Sequence, residues 1–284
     1  MTLTLMSEPL TSRIVASEDM EAPEAFPFAS GTAVVYSTRS PGKSTRNEDA
    51  AAIIACDEGR GVLAIADGLG GHVHGERASQ LALEYLRESV ADMEDEGDLR
   101  YGVLNAIELA NQELVKTGSG SATTVAVVEV DGHRVRPYHV GDSAILLFGQ
   151  RGRMKMQTIA HSPVGYAVEA GLLDAQQAIH HEDRHIISNI VGSPAMRIEI
   201  GPPSSLAPYD TLLLASDGLL DNLHVEEIVA IARKGSLTSV AATLVERAHA
   251  RMRSPEQNEP SKPDDLSFII YRRGRETEWG DVGE

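Results

Sequence analysis

Four short acidic clusters punctuate this chain, each where an apolar, strand-like run starts or stops: RNEDA (Arg46 to Ala50), VLAIADGLGGHVHGE (Val62 to Glu76), TLLLASDGLLDN (Thr211 to Asn222) and PDDLSFIIYR (Pro263 to Arg272). A fold that accommodates them must gather carboxylates from several strand ends onto one rim. Hard oxygen ligands so gathered suit Mg²⁺ or Mn²⁺, which implies a metal-dependent hydrolase.

With 284 residues and 42% hydrophobic content the chain can bury a sizeable core, and with aromatics at 4% that core is built from Val, Ile, Leu and Ala. A formal net charge of −17 with no dense run of Lys or Arg argues against a nucleic-acid or anionic-membrane partner. A single cysteine, Cys56, excludes an internal disulfide and a cysteine zinc cluster. It reads as a small core residue. Neither a basic leader nor an apolar run of membrane-spanning length is present, so the expected compartment is the cytoplasm.

Residues 1–30 mix Ser, Glu and Pro without periodicity and read as a flexible tail. From residue 31 to 273 the pattern is that of a folded body, followed by a polar tail over residues 274–284. Strands are predicted at Thr32–Ser37, Ala50–Cys56 and Gly61–Ala66, then helices at Glu76–Val90 and around Val103, Ile107, Ala110 and Leu114, which share one face. Ala122–Val130, an Asp131-Gly132 turn, Arg134–Val140 and Ala144–Phe148 predict an antiparallel meander. Met154–Ile159 follows as a further strand. Residues 161–193 are irregular, with helical pieces at Pro163–Ala170 and Asp174–Ile179. Strands at Met196–Ile200, Thr211–Ala215 and Ser267–Tyr271 and helices at Val225–Ala232 and Leu237–Arg251 complete the body. Blocks of strands and blocks of helices with hairpin connections predict an α+β class with antiparallel sheets.

Asp67-Gly68 and Asp217-Gly218 each follow a strand, which places a carboxylate at the strand end and a sharp backbone turn after it. Gly70-Gly71 is followed by His72 rather than Lys-Ser/Thr, so the glycine-rich string is not a Walker loop. Read in order, NEDA at 47–50, ADGLGGHVHGE at 66–76, SATTVAVV at 121–128, HVGDSAILLF at 139–148, LLLASDGLLDNL at 212–223 and DDLSFII at 264–270 resemble the metal-dependent protein phosphatases, the type 2C (PPM) serine/threonine phosphatases, in their bacterial form. The resemblance spans nearly the whole body.

It implies a sandwich of two antiparallel β-sheets flanked by α-helices, with a binuclear Mn²⁺/Mg²⁺ site at one end and room for a third ion. Carried over residue by residue, Asp67 bridges the two ions, the Gly68 carbonyl adds a ligand, and Asp217 and Asp264 complete the second ion's set. Glu48 and Asp49 bind metal directly or through water, Asp142 serves the third ion, and residues 161–193 form a flap. The implied reaction is hydrolysis of phosphoserine or phosphothreonine in proteins by a metal-activated water, by a monomer opposed to a kinase. Asp67 and Asp217 are its catalytic carboxylates.

The chain departs from the family at several positions. The phosphate-binding arginine four residues before Glu48 is replaced by Ser44. Lys43 and Arg46 flank it, and Arg46 better suits a bidentate phosphate contact. Leu69 stands where eukaryotic members place a histidine, leaving His72, His74 and His161 as candidate proton donors. Ala144 follows Gly-Asp-Ser where arginine is frequent. Asp265 replaces a common Asn, and is expected to support Asp264. The histidines lack zinc spacing. Ser44 and Leu69 motivate an alternative, a pseudophosphatase or metal-dependent binding module; a third reading is a hydrolase of small phosphoesters.

Overall fold

The structure, a computed structural model, describes residues 12–69, 74–91, 98–174, 177–178, 181–255 and 259–274. Within these residues one sheet runs in the order β1 (Arg13–Ala16), β4 (Asp49–Ala55), β5 (Arg60–Asp67), β6 (Val125–Asp131), β7 (Arg134–Val140) and β10 (Glu199–Ile200), with β11 (Ser204–Ser205) also on β7. The other runs β2 (Glu24–Phe28), β3 (Gly31–Thr38), β13 (Leu266–Arg273), β12 (Thr211–Ala215), β8 (Ala144–Phe148) and β9 (Met154–Gln157). Every pairing is antiparallel. The α+β sandwich is as expected.

The side-chain period explains the layering. Along β5, Leu63 and Ile65 enter the core between the sheets, while Val62, Ala64 and Ala66 join a second core under α1 (Gly75–Ala91) and α2 (Leu99–Thr117). Both faces of the strand are covered, so its sequence is continuously apolar rather than alternating. On α2 the stripe Val103, Ile107, Ala110 and Leu114 is wholly buried; Asp98 caps the first turn by accepting from Arg100 N, and Gly118 ends the helix at φ 61°. Across the molecule, α5 (Val225–Ala232) and α6 (Leu237–Arg253) pack on the outer face of the second sheet through Ile228, Val240, Leu244 and Ala248. The order of layers is helix, sheet, sheet, helix.

Three expectations need correction. Residues 13–16 and 24–28 are not part of a flexible tail but edge strands, one on each sheet, paired with β4 and β3. They escape sequence reading because an edge strand buries little of itself: only Val15 of β1 and Phe28 of β2 are fully buried, and β2 tolerates Pro27. Residues 1–11 and 275–284, assigned to tails, lie outside the described residues. The meander is broken, since β6 and β7 pair in the first sheet whereas β8 crosses to the second beside β12. The Gly141-Asp142-Ser143 link makes that crossing. Finally, only Glu199–Ile200 of the run Met196–Ile200 pairs, at the edge beside β7. Residues 161–193 contain α3 (Pro163–Glu169) and a 3₁₀ turn at Glu182–His185; much of the helix expected at Asp174–Ile179 lies outside the described residues.

Phe148, opposite Thr211 on the face of the second sheet that meets α5, is fully buried. Its replacement by Ala is expected to cost about 3–5 kcal/mol, read as a lower urea midpoint at unchanged slope.

Candidate metal centre

Register brings the carboxylates to one end of the sandwich. β4 and β5 pair with Asp49 directly opposite Asp67. In the second sheet Ala215 lies opposite Phe268, so Ser216-Asp217, just past β12, stands beside Asp264-Asp265, just before β13. Ser216 N donates to Ser267 O at 3.0 Å, and Ser216 Oγ reaches across to Asp49 Oδ2 at 2.8 Å, joining the two halves. Asp142, in the link between sheets, completes the set: the Asp67 carboxyl feels Asp49, Asp217, Asp142 and Asp264.

Polar groups fix this rim from behind. Thr123 Oγ1 and Thr124 N donate to Asp67 O at 2.8 and 2.9 Å, and Asp67 N donates to Thr124 Oγ1 at 3.2 Å. Thr124 Oγ1 also bonds Ser143 Oγ at 2.7 Å, coupling Asp67 to the Asp142 link. Beneath Asp49, Asn47 Oδ1 accepts from Asp49 N at 3.0 Å while Asn47 Nδ2 donates to Ser37 Oγ at 2.8 Å; Ser37 Oγ meets Ser267 Oγ at 2.7 Å. The two Asp-Gly pairs have a steric reason. A Cβ on Gly68 would overlap the Gly75 carbonyl at the start of α1, and one on Gly218 would overlap the Asp265 carbonyl at the start of α4 (Asp217–Leu220). The Glu48 carboxylate and the Gly68 carbonyl both crowd Gly75, where a Cβ would lie 2.7 Å from Glu48 Oε1 and 3.1 Å from Gly68 O.

Such a rim is poorly tolerated without cations. Burial and then its neighbours Asp265 and Asp264 push the Asp49 carboxyl up to about 7, against a hydrogen bond from Ser216. Burial raises Asp142 to about 6, with Asp221 and Asp264 adding to it. Asp67 and Asp217 are likewise raised, by burial first and by neighbouring carboxylates second. Asp142 Oδ1 is buried with no hydrogen-bond partner. An orphaned carboxylate oxygen amid mutually repelling carboxylates, with oxygen as the only donor atom, fits hard divalent cations.

Two lysines enter the cluster. Lys43 Nζ donates to Glu48 Oε2 at 2.7 Å and to Asp265 Oδ2 at 2.6 Å. Burial opposes its charge, but the two carboxylates outweigh that and raise its pKa. Asp265, 3% exposed, also accepts from Ser40 N and Glu48 N, each at 2.7 Å. It thus braces the Glu48 loop, and its carboxylate in place of an amide is matched by Lys43. Arg46, expected to serve the phosphate, is exposed and forms no hydrogen bond or ion pair among the described residues. It is Lys43, the poorer geometric match, that the backbone turns inward.

Lys262, absent from the sequence-based set, donates to Asp217 Oδ2 at 2.6 Å and forms ion pairs with Asp221 Oδ2 and Asp264 Oδ2 at 3.0 and 2.9 Å. The available signal was its place just before Pro263-Asp264, where proline holds the preceding residue extended.

The histidines do not converge on the rim. His161, 3% exposed, accepts at Nδ1 from Gly141 N (3.0 Å) and Asn189 Nδ2 (2.9 Å) and so donates from Nε2 to Glu199 Oε2 at 3.0 Å. It stacks on His139 at 4.3 Å and ties the 161–193 segment to the Asp142 link. With both nitrogens engaged it is a brace rather than a free proton donor. His74 is largely exposed, at φ 74°; His72 lies outside the described residues. Cys56 is half-buried, its thiol pushed up to about 11 by burial and by Asp57, a poor nucleophile.

The raised carboxyls fix a pH dependence. Groups whose folded pKa exceeds the unfolded value stabilise the metal-free fold below about pH 4 and lose that contribution as pH rises through about 7. Metal-free protein is therefore expected to melt at lower temperature at pH 8 than at pH 5, and added Mn²⁺ to raise the melting temperature more at pH 8; calorimetric melts with and without metal check this.

Known proteins resemble this chain in both sequence and structure. The protein phosphatase 2C family model matches residues 38–257. The protein phosphatase PhpP of Streptococcus pneumoniae is 32% identical over 197 residues, covering 66% of this chain and 78% of its own length. The serine/threonine phosphatase Stp1 of Staphylococcus aureus has a similar structure, with a TM-score of 0.74 at 25% identity over 86% of this chain and 95% of that one. The catalytic domain of the serine/threonine phosphatase PstP, solved with two manganese ions, gives a TM-score of 0.67 at 25% identity over 84% of this chain and 96% of its own. With the family model matched over most of the folded body and the carboxylate rim in place, the chain belongs to the protein phosphatase 2C family of metal-dependent serine/threonine phosphatases.

Proposed function

We propose that this chain hydrolyses phosphoserine and phosphothreonine in proteins at a centre of two Mn²⁺ or Mg²⁺ ions held by Glu48, Asp49, Asp67, Gly68, Asp217 and Asp264, with Asp142 available to a third. The observation that carries the reading is the register that sets Asp49 opposite Asp67 and links them, through Ser216, to the Asp217/Asp264 end of the other sheet. Bound divalent ions supply the Lewis acidity that brings a water's pKa toward neutrality and offset the charge of a phosphate.

The protein's own groups orient and select. Thr123 and Thr124 hold the Asp67 backbone, so its carboxylate projects from a fixed strand end. Ser216 and Asn47 keep Asp49 aimed at Asp67. Lys43 is proposed as the phosphate contact in place of the family's arginine. An ammonium has three N–H donors, and the two bonds to Glu48 and Asp265 leave Lys43 one for a phosphate oxygen. A cation kept at the rim also weighs against a purely binding role. A cavity of about 450 Å³ opens beside Asp142, Asp217 and Asp221 beneath α3, lined by Ile159, Val164 and Leu220, with space for residues flanking a phosphorylated side chain. The 161–193 segment forms its outer wall and is proposed as the flap.

No helix among the described residues is long and apolar enough to cross a membrane. Cytoplasmic action, as a monomer opposed to a serine/threonine kinase, is the setting proposed for it.

Initial rates on a phosphothreonine peptide test the function. Release of phosphate is expected with Mn²⁺ or Mg²⁺, none with EDTA, and a loss of at least about 100-fold in Asp67→Asn or Asp217→Ala. Metal-independent turnover, or none despite bound metal, would sink the reading. For the phosphate contact, Lys43→Ala is expected to raise KM for the peptide roughly tenfold, as loss of one charge-assisted bond, while Arg46→Ala leaves both KM and kcat unchanged.

A further inference from the structure

The Asp217 side of the centre differs from the Asp67 side in one respect: it already contains a cation. Lys262 Nζ is 2.6, 3.0 and 2.9 Å from oxygens of Asp217, Asp221 and Asp264. One N–H bonds Asp217 and the charge is shared with Asp221 and Asp264 as ion pairs, so the ammonium is held by the site itself.

Its placement is built rather than incidental. Asn222, fully buried, grips the Lys262 backbone in both directions: Nδ2 donates to Lys262 O at 2.8 Å and Oδ1 accepts from Lys262 N at 2.9 Å. The same Nδ2 donates to Gly218 O at 2.9 Å, fastening Lys262 to the turn that carries Asp217. On the other side Ser261 Oγ donates to Arg251 O at 2.8 Å, anchoring the segment to α6. The side chain is then directed at the three carboxylates from a backbone fixed on both flanks. Asp221, which the metal-ligand set does not use, has its role here.

We propose that Lys262 is a resident cation that competes with a divalent ion for Asp217, Asp221 and Asp264, and so sets how tightly this side of the centre takes up metal. The inference rests on the metal-centre reading above. A divalent ion entering here must displace an ammonium already paired with the same oxygens, or bind beside it against its charge. Without Lys262, these three carboxylates and the orphaned Asp142 oxygen would form a strongly anionic oxygen cage.

Titration calorimetry of Mn²⁺ alone into metal-stripped wild type and Lys262→Met tests this without reference to activity. The variant is expected to bind its weakest ion on the order of tenfold more tightly, or to take up one more ion. Tightening below about threefold, superimposable isotherms or weaker binding would overturn the competition. Failure of both proteins to bind any Mn²⁺ would overturn the metal centre itself, a distinguishable result. The Asn222 grip is on the backbone, so the variant should fold. A second measurement needs no variant: amine acetylation of wild type, read by mass spectrometry, should label Lys262 faster when Mn²⁺ is present, with exposed Lys234 as the unchanged reference. Equal or slower labelling of Lys262 counts against displacement.

Discussion

Repulsion among carboxylates gathered at one end of the sandwich is the constraint to which the remaining structure answers. Their proximity follows from strand register and cannot relax without unpairing β4 from β5 or β12 from β13. What surrounds them is compensation. Hydroxyl groups of Ser216, Ser37, Ser267 and Thr124 and the amide of Asn47 hold the rim in shape. Two ammonium groups reduce its charge, and the negative balance still left over is what gives the centre its attraction for divalent ions.

Much of this is legible in the sequence because the physical signals are local. VLAIADG announces a doubly covered strand ending in a carboxylate and a turn, and the i, i+4, i+7, i+11 apolar positions of α2 are all buried as expected. The helices α5 and α6 and the strands β7, β8 and β12 likewise fall where periodicity puts them. The edge strands β1 and β2 were not legible. They are short and half exposed, and become strands only because a sheet edge elsewhere in the chain offers hydrogen-bond partners. The crossing after β7 was hidden for a related reason, since local pattern distinguishes a strand from a loop but not one sheet from another.

The same division runs through the site. Motif order identified the carboxylates, whose types and positions are fixed by chemistry. Their cationic partners depend on which way a loop turns. Chemistry of the side chains favoured Arg46; the backbone turned Lys43 inward instead, and the explanation lies more than 200 residues away in Asp265, which takes hydrogen bonds from Ser40 N, Glu48 N and Lys43 together. The carboxylate of Asp265 and the ammonium of Lys43 are two halves of one adjustment. Reading either alone suggests a defect in the site, whereas the pair leaves it charged and braced.

The carboxylate rim is divided between sheets, Asp49 and Asp67 on one, Asp217 and Asp264 on the other, with the Ser216 hydroxyl bridging them. What separates the two halves is the slab of Leu63, Ile65, Leu147, Leu214 and Ile269 side chains packed between the sheets. That slab acts as a spacer gauge: its thickness fixes the span between the carboxylates of the two sheets. Hydrophobic packing well away from the rim therefore sets its geometry, and a methylene gained or lost there would be felt as a change in the distance between the carboxylates of the two sheets as well as in stability.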